Sequence, residues 1–139
     1  MSNLKEAIAL ATRAHQGQTD KAGAPYILHP LRIMQRMDSE EAKMVAVLHD
    51  VVEDTLVTLE ELRALNFSET VVAAVDSLTR RAEESYETFI ERVKLNPLAR
   101  KVKLADLEDN MDLQRLQHVT DRDKQRWQRY AKASAALSL

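Results

Sequence analysis

The sequence contains no cysteine. That excludes a disulfide framework, a thiolate zinc site and a cysteine nucleophile. Glycine and proline are scarce as well, two and three among 139 residues, and aromatic residues make up only 4%. So little turn chemistry and so few large β-forming side chains argue against a sheet protein. No uninterrupted apolar stretch approaches the ~20 residues of a membrane span. The N-terminal MSNLKEAIALATRAHQG carries charges where a signal peptide needs an apolar run. The expectation is a soluble, cytoplasmic protein with no membrane partner. An excess of one charge is also missing. A net charge of −2 offers no large basic surface, which argues against nucleic acid as the main partner.

What is present points to helices. Hydrophobic content is 45%, and alanine, leucine, glutamate and arginine dominate. The length suits a single domain over residues 1–139, all-α, with about eight helices around one core. A first helix is expected from about Leu4 to Gln16, ended by Gly17, followed by a polar loop containing Gly23 and Pro25. His29-Pro30 opens a second, with His29 at the N-cap because the residue before proline is held extended. Asp38 and Glu41 form a capping box for a third helix, which reaches the Asp50 to Asp54 stretch. Thr58 starts a short fourth, Val71 to Leu78 mark a fifth, and Ser85 begins a sixth. Asn96-Pro97 starts a long seventh helix, and Thr120 opens the last. The β-branched runs are short and lie inside helical patterns, so no strands are expected.

One segment, Leu48-His49-Asp50-Val51-Val52-Glu53-Asp54-Thr55, concentrates groups that bind metal or move protons. On an unbroken helix at ~100° per residue, Glu53, Asp50 and Asp54 lie about 40°, 100° and 140° from His49, on one face. Met44, Leu48, Val51 and Val52 take the opposite arc, towards a core. Three carboxylates this close repel unless a cation or a proton offsets them. His29, His49, Asp50 and Asp106 make a set of two imidazoles and two carboxylates drawn from three helices. Such a mixed set suits a divalent cation with positions left for water.

Each residue also has a plainer explanation. His29 could simply cap a helix, and His49 could belong to a surface ion-pair cluster. Asp106 lies between apolar residues, where Lys103 one turn away could fully account for it. Asn110 could be a satisfied surface amide and Lys21 a solvated loop lysine. His15 reads as a core histidine or a support for the site, and His118 as a solvated one.

Four segments in order, AHQGQTDKAGAPYILHP, AVLHDVVEDT, LTRRAEESYETFIERV and KVKLADLEDN, resemble the HD-superfamily hydrolase domain of Rel/SpoT alarmone enzymes. They are most similar to the short, stand-alone alarmone hydrolases, with the hydrolase part alone expected and no synthetase domain. The resemblance implies that His29, His49, Asp50 and Asp106 hold one Mn²⁺-type ion. It implies that Glu53 and Asp54 are the catalytic pair, and that Lys21 and Asn110 line the nucleotide site. It further implies removal of pyrophosphate from the 3′ position of a hyperphosphorylated guanosine nucleotide. A bound metal would acidify its water, and Glu53 one turn beyond His49 could take that proton.

The chain departs from the long enzymes at base-contacting positions. Asp20-Lys21-Ala22 replaces an Arg-Lys-Ser-like run whose arginine lies against the base, and Asp112-Leu113 stand where basic and hydroxyl residues are usual. The reaction type is therefore better defined than the nucleotide, and an adenosine counterpart stays open. Two rivals remain: a phosphomonoesterase of ordinary nucleotides, and a helical domain that binds nucleotide without turnover. The intact Glu53-Asp54 pair weighs against the second. Assembly into a homo-oligomer is also left open.

Overall fold

A computed structural model describes residues 2–112, 116 and 118–139. The helices are α1 (Leu4–Ala14), α2 (Leu28–Gln35), α3 (Glu40–Leu48), α4 (Val51–Asp54), α5 (Leu59–Ala64), α6 (Glu69–Ser77), α7 (Tyr86–Lys94), α8 (Pro97–Asn110) and α9 (Asp121–Ser138). No strand occurs among the described residues; a lone bridge pairs Thr19 with Pro25. None of the described helices is long and apolar enough to cross a membrane.

Side-chain caps set most helix starts. Asn3, Ser68, Ser85 and Asn96 each accept an amide hydrogen bond from two or three residues into α1, α6, α7 and α8. Thr58 does the same for α5, and Thr120 with Asp123 forms a full capping box on α9. Gly17, at φ +85°, reverses the chain after α1 in a conformation that a side chain disfavours.

Three expected boundaries shift. Ser39, not Asp38, caps α3 by accepting from the Ala42 amide, while Asp38 reaches across to Lys101 of α8. His29 is not an N-cap. The turn winds earlier, with the Leu28 and His29 amides bonded to the carbonyls of Pro25 and Tyr26. Pro30 then occupies the third helical position, where an amide has no intrahelical partner to lose. This puts the His29 imidazole inside the first turn of α2, facing α8.

The third correction matters most. The expected single helix through Asp54 breaks at His49-Asp50, so α3 and α4 are separate. His49 uses the Ala46 carbonyl twice, through its own amide at 3.5 Å and through Nδ1 at 2.6 Å. That carbonyl is the acceptor an unbroken helix would offer to the Asp50 amide. The break splits the anticipated polar face into two groups.

α3 is the central element. Ala42 and Met44 to Leu48 are all buried, so the helix is apolar nearly all round, and α1, α2, α6 and α8 pack against it. The core continues through Ile33, Leu62, Val71, Val75, Val93, Val102, Leu107 and Leu137. Such a closed apolar jacket holds the end of α3 rigid, and that end carries His49. Leu62 on α5 is fully buried and distant in sequence from the histidines. Leu62→Ala should therefore lower stability by about 2–5 kcal/mol in urea unfolding. A change below about 0.5 kcal/mol, the range of surface substitutions, would contradict that packing.

Candidate metal centre

His29, His49 and Asp106 come together from α2, the turn after α3, and α8, with ligand atoms all within 4.8 Å of one another. They are only 5%, 2% and 4% exposed. The two imidazole rings lie 5.6 Å apart, edge to face. Asp106 Oδ1 sits between them, 2.8 Å from His29 Nε2 and 3.4 Å from His49 Nε2. Asp50 joins through His49, its Oδ2 3.0 Å from Nε2. Asp50 also belongs to a second group with Glu53 and Asp54 at the mouth of the site.

Both imidazoles are oriented from behind. His29 Nδ1 donates to Asp109 Oδ2 at 2.6 Å, and Asp109 is itself gripped by the Arg32 guanidinium through two bonds of 2.9 and 3.0 Å. His49 Nδ1 donates to the Ala46 carbonyl. Each ring thus spends its Nδ1 proton on an acceptor and, when neutral, presents the Nε2 lone pair forward. Forward of both lie carboxylate oxygens. A lone pair against anionic oxygen is repulsive unless a cation or a second proton sits between.

His49 Nε2 makes the point most directly. It is fully buried and has no aligned hydrogen bond among the described residues, although two carboxylates lie within 3.4 Å. Donors about 2.1 Å from a shared ion stand roughly 3 to 3.5 Å apart, as these do. Two imidazole nitrogens with carboxylate oxygens form a set that fits a divalent cation. The residues present therefore match the group.

Electrostatics around the set are sharply divided. Burial alone would raise Asp106, but Lys103, His29 and His49 hold it well below the usual carboxylate range. Lys103 Nζ binds Asp106 Oδ2 at 2.8 Å, leaving Oδ1 for the histidines. Asp50, despite burial, is held down to about 2 by His49 and by the Tyr26 hydroxyl, which donates to its Oδ2. Burial depresses both histidines, yet His29 is raised by Asp106 and Asp109, and His49 well above its ordinary value by Asp50 and Asp106. Without a metal, the surrounding carboxylates favour a proton on each imidazole.

Glu53 and Asp54 are exposed at the rim. Glu53 Oε1 accepts from the Arg80 amide at 2.7 Å, and the Asp54 carbonyl accepts from Gln18 Nε2 at 3.2 Å. Gln18 in turn meets His15 Nδ1 at 2.9 Å, so His15 is buried and supports the loop before α2. His118 is exposed.

Beside His29 opens a cleft of about 270 Å³, lined in part by Lys21, Asn110, Tyr26 and Arg126. Asn110 Nδ2 also donates to Asp106 Oδ1 at 3.2 Å, tying the cleft to the metal set. Burial of its stem and the nearby Arg126 pull the Lys21 ammonium below its ordinary pKa. Asp20 is occupied within its own loop, its Oδ1 accepting from the Ala22 and Ala24 amides at 2.9 Å. Leu113 lies outside the described residues.

Sequence reasoning missed Asp109, Arg32, Tyr26 and Gln18. The first two had a signal: Arg32 follows His29, and Asp109 follows Asp106, each by one helical turn on the same face.

Burial and the Asp50 and Glu53 carboxylates push the Asp54 carboxyl up to about 6. The folded state then binds this proton more tightly than the unfolded chain, so its contribution is present at low pH and lost as pH rises through about 6. In metal-free protein, Asp54→Asn should raise Tm at about pH 8 and less at about pH 4. The margin is small, because the side chain is exposed. A lower Tm for the variant at the higher pH would contradict this electrostatic picture.

Comparison with known proteins places this geometry among relatives. A family profile described as HD domain matches residues 7–137. A GTP pyrophosphokinase of Myxococcus xanthus is 33% identical over 88% of this chain and 18% of its own length. A guanosine-3′,5′-bis(diphosphate) 3′-pyrophosphohydrolase of Vibrio cholerae is 37% identical over 78% of this chain and 17% of its own. The chain thus spans less than a fifth of the length of these curated relatives. A solved structure described as "A metazoan ortholog of SpoT hydrolyzes ppGpp and plays a role in starvation responses" superposes with a TM-score of 0.80 at 27% identity. The superposition covers 96% of this chain and 84% of that one.

Proposed function

Because this chain belongs to the HD-domain family, we propose that residues 1–139 form one metal-dependent phosphohydrolase domain. It removes the 3′-pyrophosphate of a guanosine-3′,5′-bis(diphosphate)-like nucleotide. The observation that carries this reading is the buried His49 Nε2, facing two carboxylates with no aligned partner of its own. The likeness to the Vibrio cholerae pyrophosphohydrolase and to the metazoan structure supports the substrate class.

In this reading His29, His49, Asp50 and Asp106 hold the ion, and Mn²⁺ suits their mixed nitrogen and oxygen donors. A divalent cation bound there supplies an acidified water and positive charge beside the phosphoryl oxygens. Asp109 and Lys103 keep the donors aimed, the first through His29 and the second through Asp106. Glu53, exposed at the rim and steadied by the Arg80 amide, orients the attacking water and accepts its proton. The bond that breaks joins phosphorus to the ribose 3′ oxygen, and the water oxygen leaves in pyrophosphate. The ribose oxygen must gain a proton. Asp54, exposed and grouped with Asp50 and Glu53, is the neighbouring carboxyl placed to give one. Lys21 and Asn110 contact the nucleotide in the adjoining cleft. Phosphoryl transfer needs chiefly positioning and charge neutralisation, so the site requires no covalent nucleophile.

Paired variants test these roles. Asp50→Asn should lose stoichiometric Mn²⁺, and with it pyrophosphate release. Glu53→Gln should retain the ion while kcat falls by about a hundredfold or more. Equal turnover in parent and both variants would refute the assignment. Orthophosphate as the sole product would favour a phosphomonoesterase.

A further inference from the structure

Three aromatic side chains, Tyr26, Trp127 and Tyr130, line the cleft beside the metal set, and the indole is the most exposed of them. Trp127 of α9 lines it and is 40% exposed, against near-complete burial of the core side chains. Scattered exposed apolar residues are ordinary, but this indole is held in place. Its Nε1 donates to the Met111 carbonyl at 3.2 Å, at the end of α8. Met111 directly follows Asn110, whose amide reaches Asp106 Oδ1. Asp106 on α8 and Met111 at its C-terminal cap are five residues apart, about 7.5 Å along a helix axis. The indole and the metal donor His29 thus line one cleft, with Asn110 between Met111 and the metal set.

Asp20 also lines the cleft, and its carboxylate is engaged by its own loop amides, so it offers a base no flat face. We propose that Trp127 supplies that face: the exposed indole is the stacking platform for the purine base, while Lys21 serves the phosphates. The assignment rests on the nucleotide-hydrolase reading for its substrate class. Stacking on an aromatic face is tolerant of base identity, because every base presents a π-face. The platform therefore holds any purine.

Trp127 is the single tryptophan of the chain, so its emission reports on this position alone. Mn²⁺-loaded protein carrying Glu53→Gln is titrated with guanosine 3′,5′-bis(diphosphate) and separately with inorganic pyrophosphate. The nucleotide should quench tryptophan emission saturably, and pyrophosphate should leave it unchanged. In the otherwise unaltered enzyme, Trp127→Leu should raise KM by about fivefold to a hundredfold with kcat nearly constant. Trp127→Phe should restore most of the loss, which separates stacking from a folding defect. Nucleotide that turns over without quenching, or pyrophosphate that quenches equally, would overturn the platform and leave the reaction standing. Quenching by the nucleotide without pyrophosphate release by the parent enzyme would keep the platform and remove the proposed reaction. Neither signal would remove both.

Discussion

A carboxylate that is 4% exposed, set between two histidines, is the constraint on which this molecule turns. An ion of that kind is tolerated inside a protein only when each oxygen is answered. Asp106 divides the task. Lys103 binds Oδ2, and Oδ1 faces both imidazoles and the Asn110 amide. Asp109 is answered by Arg32 and His29 in the same way. Asp50 has the Tyr26 hydroxyl and the forward nitrogen of His49, which points a lone pair rather than a proton when the ring is neutral. The cluster therefore calls for a positive centre at one place, between the Nε2 atoms and the carboxylates.

The fold serves that requirement through rigidity. α3 is enclosed by apolar side chains, so the turn that ends it cannot drift, and His49 is fixed with it. α2 and α8 lie side by side, and their His29/Arg32 and Asp106/Asp109 pairs interlock across the interface. The carboxylates proposed to act on the water and the leaving group have a different setting. Glu53 and Asp54 lie beyond the helix break and are exposed, where a substrate can reach them.

Much of this was legible in the residues, and the reasons are local. Asn96-Pro97, Thr58, Ser85 and Thr120 announce their helices because a cap acts within three residues of itself. The convergence of His29, His49 and Asp106 was also anticipated, on the strength of motif order. What stayed hidden depends on contacts the chain order does not display. The break after α3 comes from an imidazole competing for the Ala46 carbonyl, which a 100° wheel cannot represent. Ser39 displaced Asp38 as a cap because Lys101, 63 residues away, holds Asp38. Asp20 was read only as an altered base-contacting position; that its carboxylate also closes the loop on itself depends on backbone amides the residue pattern does not display.

The most direct test of the central claim is anomalous scattering at the manganese edge from crystals grown with Mn²⁺. The account predicts a single strong peak bounded by His29 Nε2, His49 Nε2, Asp106 Oδ1 and the Asp50 carboxylate. No peak there, with the two histidines still hydrogen-bonded to Asp106 as imidazolium ions, would contradict it.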